Sequence, residues 1–205
     1  MHNYQEIKQK LEIKGKQLFG NHFKFYQEDE QVINSIIVYF LKDVENANRF
    51  QINLSKGMLL SGPIGCGKTS LMELMRVLAI STEKYYLKPC RDVSFEFIQE
   101  GYEVIHRYSK GGKHHQKPTN ICFDDLGVEN NLKYFGNECN VMGEIILSRY
   151  DLSLHSNQNK RVITHMTTNF SATEIESQYG NRVRSRMREQ FNLLAFKNGS
   201  RDKRR

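Results

Sequence analysis

The sequence lacks the features that mark several protein classes. It has no tryptophan, only three prolines among its 205 residues, and no apolar run of the ~18–20 residues that a transmembrane helix needs. Residues 1–17 are polar and charged, without the apolar core of a secretory signal peptide. These absences predict a cytoplasmic protein with no membrane partner.

Cysteine is also scarce, and its spacing argues against disulfide bonds and against a zinc site. The four cysteines are scattered and form no CxxC pair; they are Cys66, Cys90, Cys122 and Cys139. We interpret all four as reduced thiols, neither disulfide-bonded nor bound to zinc.

Acidic residues are outnumbered by basic ones. The chain has 30 Lys and Arg against 23 Asp and Glu, a net charge of +7 and a pI near 9.2. This balance favours a polyanionic partner, and nucleic acid before a membrane. The loop at residues 109–118 either contacts DNA through Lys110, Lys113 and Lys117 or is merely exposed. The terminal "RDKRR" is either a solvated tail or part of the same basic surface.

Apolar periodicity predicts strands that alternate with helices. Short apolar runs predict strands at residues 57–61, 84–89, 119–124, 161–169 and 191–196. Stripes at helical spacing predict helices in the following places: residues 28–44; Leu71, Leu74, Met75 and Leu78; Phe95, Ile98, Tyr102 and Ile105; and residues 140–154. Ser171 and Glu174 form a capping box for a helix that Gly180 ends, and a short helix follows at 181–190. The alternation predicts an α/β fold, with a five-stranded parallel sheet between two layers of helices.

A phosphate-binding loop follows the first strand. Residues 62–70, "GPIGCGKTS", match G-x-x-x-x-G-K-[ST] between a predicted strand and a predicted helix. Glycines let successive N–H groups face a phosphate, Lys68 reaches the β- and γ-phosphates, and Thr69 offers a hydroxyl to Mg²⁺. The sequence therefore predicts a nucleoside triphosphate as the ligand, bound by Gly62, Pro63, Ile64, Gly65, Cys66, Gly67, Lys68, Thr69 and Ser70.

Two adjacent carboxylates end the third strand, in "ICFDDLG" at residues 121–127. A Mg²⁺ beside a nucleotide needs an acidic ligand at the end of a neighbouring strand, and Asp124 fits that role. Since side chains alternate along a strand, Asp125 points elsewhere, towards an attacking water. We predict Thr69 and Asp124 as metal ligands and Asp125 as the residue that polarises the water.

The fourth strand ends in "TTN", residues 167–169. A polar residue there, together with an extra strand between the first and third, is the layout of the additional-strand P-loop ATPases. Asn169 is then placed to hydrogen-bond the γ-phosphate and the lytic water. An Asn at a strand end is otherwise an ordinary turn former.

These motifs together resemble those of AAA+ ATPases of the DnaC/DnaI helicase-loader type and of the related IstB transposition ATPases. The resemblance covers roughly residues 50–197 and is carried by "GPIGCGKTS", "ICFDDLG", "ILSRYD" and "THMTTNFSATEIESQYGNRVRSRMRE". It implies an ATPase of the three-layer P-loop NTPase fold with a reduced or absent C-terminal lid. The expected organisation is an N-terminal extension at 1–25, an ATPase domain at 26–198 and a basic tail at 199–205.

The resemblance also implies self-association and an arginine that acts on the neighbouring subunit's ATP. Arg182 and Arg186 match the two arginines of the family's "GxRVxSR" stretch, with Arg149 as a weaker candidate. Val183 and Met187 share a helix face and should be buried, with Arg182 and Arg186 beside them. The shorter Asp125, where many AAA+ enzymes have Glu, predicts slow hydrolysis.

Four functions remain open at this point. The first is a loader of a replicative helicase that binds DNA or the helicase. The second is a transposition regulator that polymerises on DNA with a transposase as client. The third is a nucleotide-switch scaffold with little hydrolysis. The fourth, a small-molecule kinase, is disfavoured because no arginine-rich lid segment follows the core helices and because Asp125 suits a water better than an acceptor.

Overall fold

A computed structural model of the protein describes residues 3–111, 118–129, 132–134, 137–155 and 162–204. Its α-helices are Tyr4–Phe19 (α1), Glu30–Leu41 (α2), Val44–Arg49 (α3), Lys68–Met75 (α4), Cys90–Glu100 (α5), Tyr102–Lys110 (α6), Val141–His155 (α7) and Ala172–Gln190 (α8). Its strands are Gly57–Ser61 (β1), Tyr86–Pro89 (β2), Ile121–Leu126 (β3), Leu132–Tyr134 (β4), Asn137–Cys139 (β5), Thr164–Thr168 (β6) and Phe191–Ala195 (β7).

Five strands form one parallel sheet in the order β2-β3-β6-β1-β7. The predicted five-stranded parallel α/β fold is therefore confirmed, with β6 as the extra strand between β1 and β3. A separate antiparallel pair, β4 and β5, follows β3 along the chain. Parallel strands buried on both faces need helices on both sides, and the apolar runs of β1 and β3 match that burial.

Two apolar clusters fill the two sides of the sheet. The first joins α1, α2 and α4 to the sheet and includes Leu11, Ile36, Phe40 and Met72. The second lies under α5 to α8 on the opposite side. Leu11 of α1 is 3% exposed within the first cluster, so α1 packs on the sheet domain. The boundaries at residues 25 and 199 stay predictions.

The predicted stripe of Phe95, Ile98, Tyr102 and Ile105 is wrong. Phe95, Ile98 and Tyr102 are each more than half exposed, while Val93 and Phe97 are buried. Gly101, at φ 62°, separates α5 from α6. One apolar face therefore does not continue through both helices. In α5 the residues that face the sheet are Val93 and Phe97, at i and i+4, rather than the predicted ones.

Helix α8 keeps the predicted division. The Ser171–Glu174 capping box is present, and Gly180 has φ 85° and ψ 161°, which interrupts the helix. Beyond it, Val183 and Met187 are both buried, as predicted. Described residues 196–204 after β7 contain no helix.

None of the helices in the described part of the chain combines the length and the apolar character needed to cross a bilayer. All four cysteines are buried free thiols.

Candidate nucleotide-binding site

The loop between β1 and α4 lies at the carboxyl ends of the parallel strands. Gly65 and Gly67 have φ of 80° and 96°, a region that only glycine adopts readily. Helix α4 begins directly after, at Lys68, so its unpaired N–H groups and its dipole face the loop. The local sequence thus builds an anion site where sheet topology places ligands in α/β proteins.

A cavity of about 460 Å³ opens beside this loop. Such a volume lies within the ~300–1,000 Å³ typical of small-molecule sites. The predicted residues that line it are Ile64, Gly65, Gly67, Lys68, Thr69, Ser70, Asp125 and Asn169. Three other predicted loop residues are not among the lining residues: Gly62, Pro63 and Cys66. Cys66 is 1% exposed, and burial raises the pKa of its thiol, which leaves it unreactive at neutral pH.

Lys68 is folded back onto its own loop. Its Nζ donates hydrogen bonds to the carbonyl oxygens of Gly62 at 2.8 Å and Pro63 at 2.9 Å. The side chain is buried, so these carbonyls satisfy a charge that solvent reaches poorly. An incoming phosphate offers Lys68 a stronger, charge-assisted partner at the same place.

Asp124 lies at the centre of a buried hydroxyl cluster. Its carboxylate accepts hydrogen bonds from Thr69 Oγ1 at 3.0 Å and from Thr167 Oγ1 at 2.6 Å. Burial raises the pKa of Asp124, against the two hydroxyl bonds, which lower it. The two predicted metal ligands, Thr69 and Asp124, are therefore in direct contact.

This donor set fits Mg²⁺. Magnesium takes hard oxygen ligands and usually binds through one or two protein groups plus phosphates and waters. No Lys or Arg of the described residues donates a hydrogen bond to Asp124. A buried carboxylate without a bonded cation is costly, and a divalent ion beside Thr69 would offset that cost.

Asp125 diverges from Asp124 because the strand bulges. β3 pairs in register with β6 up to Phe123, but Leu126 then pairs with Thr168, so β3 holds one residue more. Asp125 takes φ 55° and donates its N–H to Thr167 Oγ1 at 2.9 Å. The predicted separation of the two carboxylates is present, but a bulge produces it rather than simple alternation.

Asn169 follows β6 and lines the same cavity. Its side-chain oxygen is buried and meets no hydrogen-bond donor within the described part of the chain. A buried amide oxygen without a partner costs about 1–3 kcal/mol. The atom is thus available to a donor that enters the cavity, such as a water.

The predicted arginines lie outside this cavity, on the second half of α8. Arg186 stacks on the Tyr150 ring, with its guanidinium 4.7 Å from the ring centre, and pairs with Glu189 at 3.2 Å. Arg182 is exposed and has no ion pair or hydrogen bond to the described residues. Arg184 pairs with Glu176.

Arg149 is not available to a neighbouring subunit, which corrects its place as a weaker candidate. It is 4% exposed, and its guanidinium donates to Thr164 Oγ1, to the Tyr108 carbonyl at 2.6 Å and to the Thr119 carbonyl at 3.0 Å. These bonds use a buried charge to tie α7 to α6, to the start of β6 and to the segment before β3, a structural role.

No protein-family model matches the chain, and no curated protein matches it by sequence. Among solved structures, the DnaC helicase loader superposes with a TM-score of 0.56 at 20% identity, over 85% of this chain and 93% of that one. A proposed primosome component from Streptococcus pyogenes serotype M3 gives a TM-score of 0.54 at 16% identity, over 86% and 83% of the two chains.

The chain has the fold of the DnaC helicase loader. The likeness extends over most of both chains. At this level of identity it establishes the fold, and the residues of the cavity must carry the chemistry.

Two walls of the cavity in this DnaC-like fold were missed in the sequence. One is an N-terminal wall at and just after the end of α1, formed by Phe19, His22, Phe23, Lys24 and Tyr26. The other is the C-terminal pair Lys203 and Arg204. The density of aromatics at residues 19–26 was a usable signal for the first, because a planar base stacks on such side chains. Nothing local indicated the second.

The structure describes only part of the basic loop that was predicted to contact DNA. Lys110 ends α6, but Lys113 and Lys117 lie outside the described residues.

Proposed function

We propose that this chain is an ATP-binding and ATP-hydrolysing protein of the AAA+ helicase-loader type that acts in DNA replication. The observation that carries the proposal is that most of the phosphate loop lines one cavity with Asp125 and Asn169, and that Thr69 in this lining contacts Asp124. Fold alone would not support it, since P-loop folds serve many functions.

The residues divide the work by their chemistry. The loop N–H groups and Lys68 bind the triphosphate, while Thr69 and Asp124 would hold Mg²⁺, which would neutralise part of the phosphate charge when bound. Asp125 accepts a hydrogen bond from the attacking water, and the side-chain oxygen of Asn169 orients that water. The aromatic wall at Phe23 and Tyr26 takes the base.

Nucleotide binding tests the proposal through Lys68. We expect Lys68→Ala to weaken ATP binding by about a hundredfold or more, because charge-assisted bonds to phosphate are lost. The measurement is titration of a fluorescent ATP analogue. Lys84→Ala is the matched control, since Lys84 is exposed and does not line the cavity. Unchanged affinity in a folded Lys68→Ala protein would contradict the phosphate-loop assignment.

The partner is proposed to be a replicative helicase, with DNA as a second ligand of the basic surface. The fold neighbours, a helicase loader and a proposed primosome component, support this client. An IstB-like transposition regulator is the second candidate, which the shared sequence motifs favour. Purified Asp125→Asn protein loaded with ATP distinguishes the two candidates. Stable binding to a hexameric helicase supports the loader, and binding to a transposase supports the regulator.

We also propose self-association through the arginine-bearing half of α8 and a cytoplasmic location.

A further inference from the structure

The C-terminal segment, residues 199–204, folds back onto the phosphate loop. The Lys203 N–H donates to the Gly65 carbonyl at 3.0 Å. The Asp202 carboxylate lies so close to Gly65 that a Cβ built there would be 2.4 Å from it. A side chain at position 65 would have to displace the Asp202 carboxylate, and the φ of 80° favours glycine there independently.

Lys203 anchors this segment through a largely buried charge. Its Nζ pairs with Asp29, which is 4% exposed at the start of α2, and donates to the Cys66 carbonyl at 2.9 Å. The same ammonium lies 5.3 Å from the centre of the Tyr26 ring and 5.1 Å from that of Phe196. One side chain thus joins the C-terminal segment, the phosphate loop and the N-terminal wall of the cavity.

Arg204 is left facing the cavity. Its backbone N–H donates to Asp202 Oδ1 at 3.0 Å, which fixes the turn. Arg204 is one of the residues that line the cavity, with Lys68 and Thr69, and its guanidinium has no ion pair with any carboxylate of the described residues. An unpaired guanidinium beside a phosphate loop is suited to bidentate contact with phosphate oxygens.

We propose that residues 199–204 form a phosphate-binding arm, in which Lys203 is the positioning residue and Arg204 contacts the phosphates of the bound nucleotide. The proposal rests on the proposed function, since it names a further contact to the same ATP. It assigns a role to a segment whose sequence reads as a solvated basic tail.

Affinities for ATP and for adenosine, measured on the full chain, test the arm. We expect Arg204→Gln to weaken ATP binding by about tenfold, the usual size of a charge-assisted bond, and to leave adenosine binding unchanged. Lys197→Gln is the matched control, because Lys197 is exposed after β7 and does not line the cavity. Equal ATP affinity of Arg204→Gln and Lys197→Gln would overturn the arm.

A double variant tests whether Lys203 positions Arg204, because the two losses of ATP affinity should then not add. If Lys203 acts through Arg204, Lys203→Met should weaken ATP binding, and the double variant with Arg204→Gln should bind no worse than the more severe single variant. Additive losses would show that Lys203 does not position Arg204. Asp29→Asn provides a second test of the anchor that leaves the C-terminal segment unchanged.

The outcomes for the arm and for the proposed function are distinguishable. A wild-type protein that binds no adenine nucleotide would overturn both. If the wild type binds ATP, Lys68→Ala abolishes that binding and Arg204→Gln leaves the affinity unchanged, only the proposal of the phosphate-binding arm is overturned.

Discussion

Asp124 and Asp125 are neighbours in sequence but have different environments. Asp124 is buried against two threonine hydroxyls, whereas Asp125 is exposed and faces the cavity. The bulge in β3 causes the difference, since it turns Asp125 through a left-handed backbone conformation. A buried carboxylate suits a metal ligand, and an exposed one suits contact with water.

This division predicts a variant that binds but does not hydrolyse. We expect Asp125→Asn to bind ATP within about twofold of the wild type and to lose roughly a hundredfold or more in turnover, the typical size of a general-base contribution. Phosphate release under saturating ATP measures the turnover. Asp151→Asn, at an exposed aspartate outside the cavity, is the matched control. Wild-type turnover in Asp125→Asn would remove this residue from the mechanism.

Helix α8 connects the cavity to the arginines. The Glu129 carboxylate accepts a hydrogen bond from the Tyr179 hydroxyl and another, at 2.9 Å, from the Gly127 N–H. The turn after β3 is thereby tied to the last residue before Gly180, where the helix is interrupted. Beyond Gly180 the buried Val183 and Met187 fix which arginines face outwards.

The two candidate arginines of α8 differ in availability. Arg186 is held by Tyr150 and Glu189 of its own chain, while Arg182 is exposed. We therefore expect Arg182→Ala to lower the ATPase rate of the assembled protein more than Arg186→Ala does. The expected loss is ~10³-fold or more, as for other arginines that act in trans. ATP affinity of the monomer should not change.

Mixing experiments check that action across subunits. Arg182→Ala subunits, which keep an intact phosphate loop, should regain turnover when mixed with Lys68→Ala subunits, which keep the arginine. Arg188→Ala, another exposed arginine of the same helix, serves as the control. If the mixture is no more active than the separate variants, Arg182 does not act in trans.

At the scale of the whole molecule, a buried histidine lies in the middle of the parallel sheet. His165 in β6 is 1% exposed, accepts a hydrogen bond from the Met58 N–H of β1 at 3.0 Å, and contacts the rings of Tyr39, Phe40 and Tyr85. Burial, with smaller contributions from Lys42 and Arg149, lowers the pKa of His165 to about 3. The native state therefore keeps this imidazole neutral.

This lowered pKa predicts acid sensitivity of the fold. The unfolded chain binds a proton at His165 below a pH of about 6.5, and the native chain does not, so the free energy of unfolding falls as pH drops from there towards 3. Between pH 7 and pH 5 we expect the wild type to lose about 2 kcal/mol more than His165→Gln. Urea unfolding at both pH values measures this, and parallel losses in the two proteins would contradict it.

The sequence by itself determined the five strands of the parallel sheet and the principal motifs of the candidate site, but not α1, α3, β4 or β5. Four features are short-range patterns: the phosphate loop, the adjacent carboxylates near the end of β3, the capping box at Ser171, and the buried pair Val183 and Met187. Each depends on periodicity or on turn chemistry within a few residues, which an amino-acid sequence encodes directly.

Only the tertiary structure decided which segments surround the site. Lys203 meets Asp29 across 174 positions of the chain, and the exposure of Phe95 depends on how α5 docks rather than on its own pattern. The burial of Arg149 likewise follows from carbonyls supplied by two other elements. Such contacts arise from the path of the whole chain, and no local window of sequence specifies them.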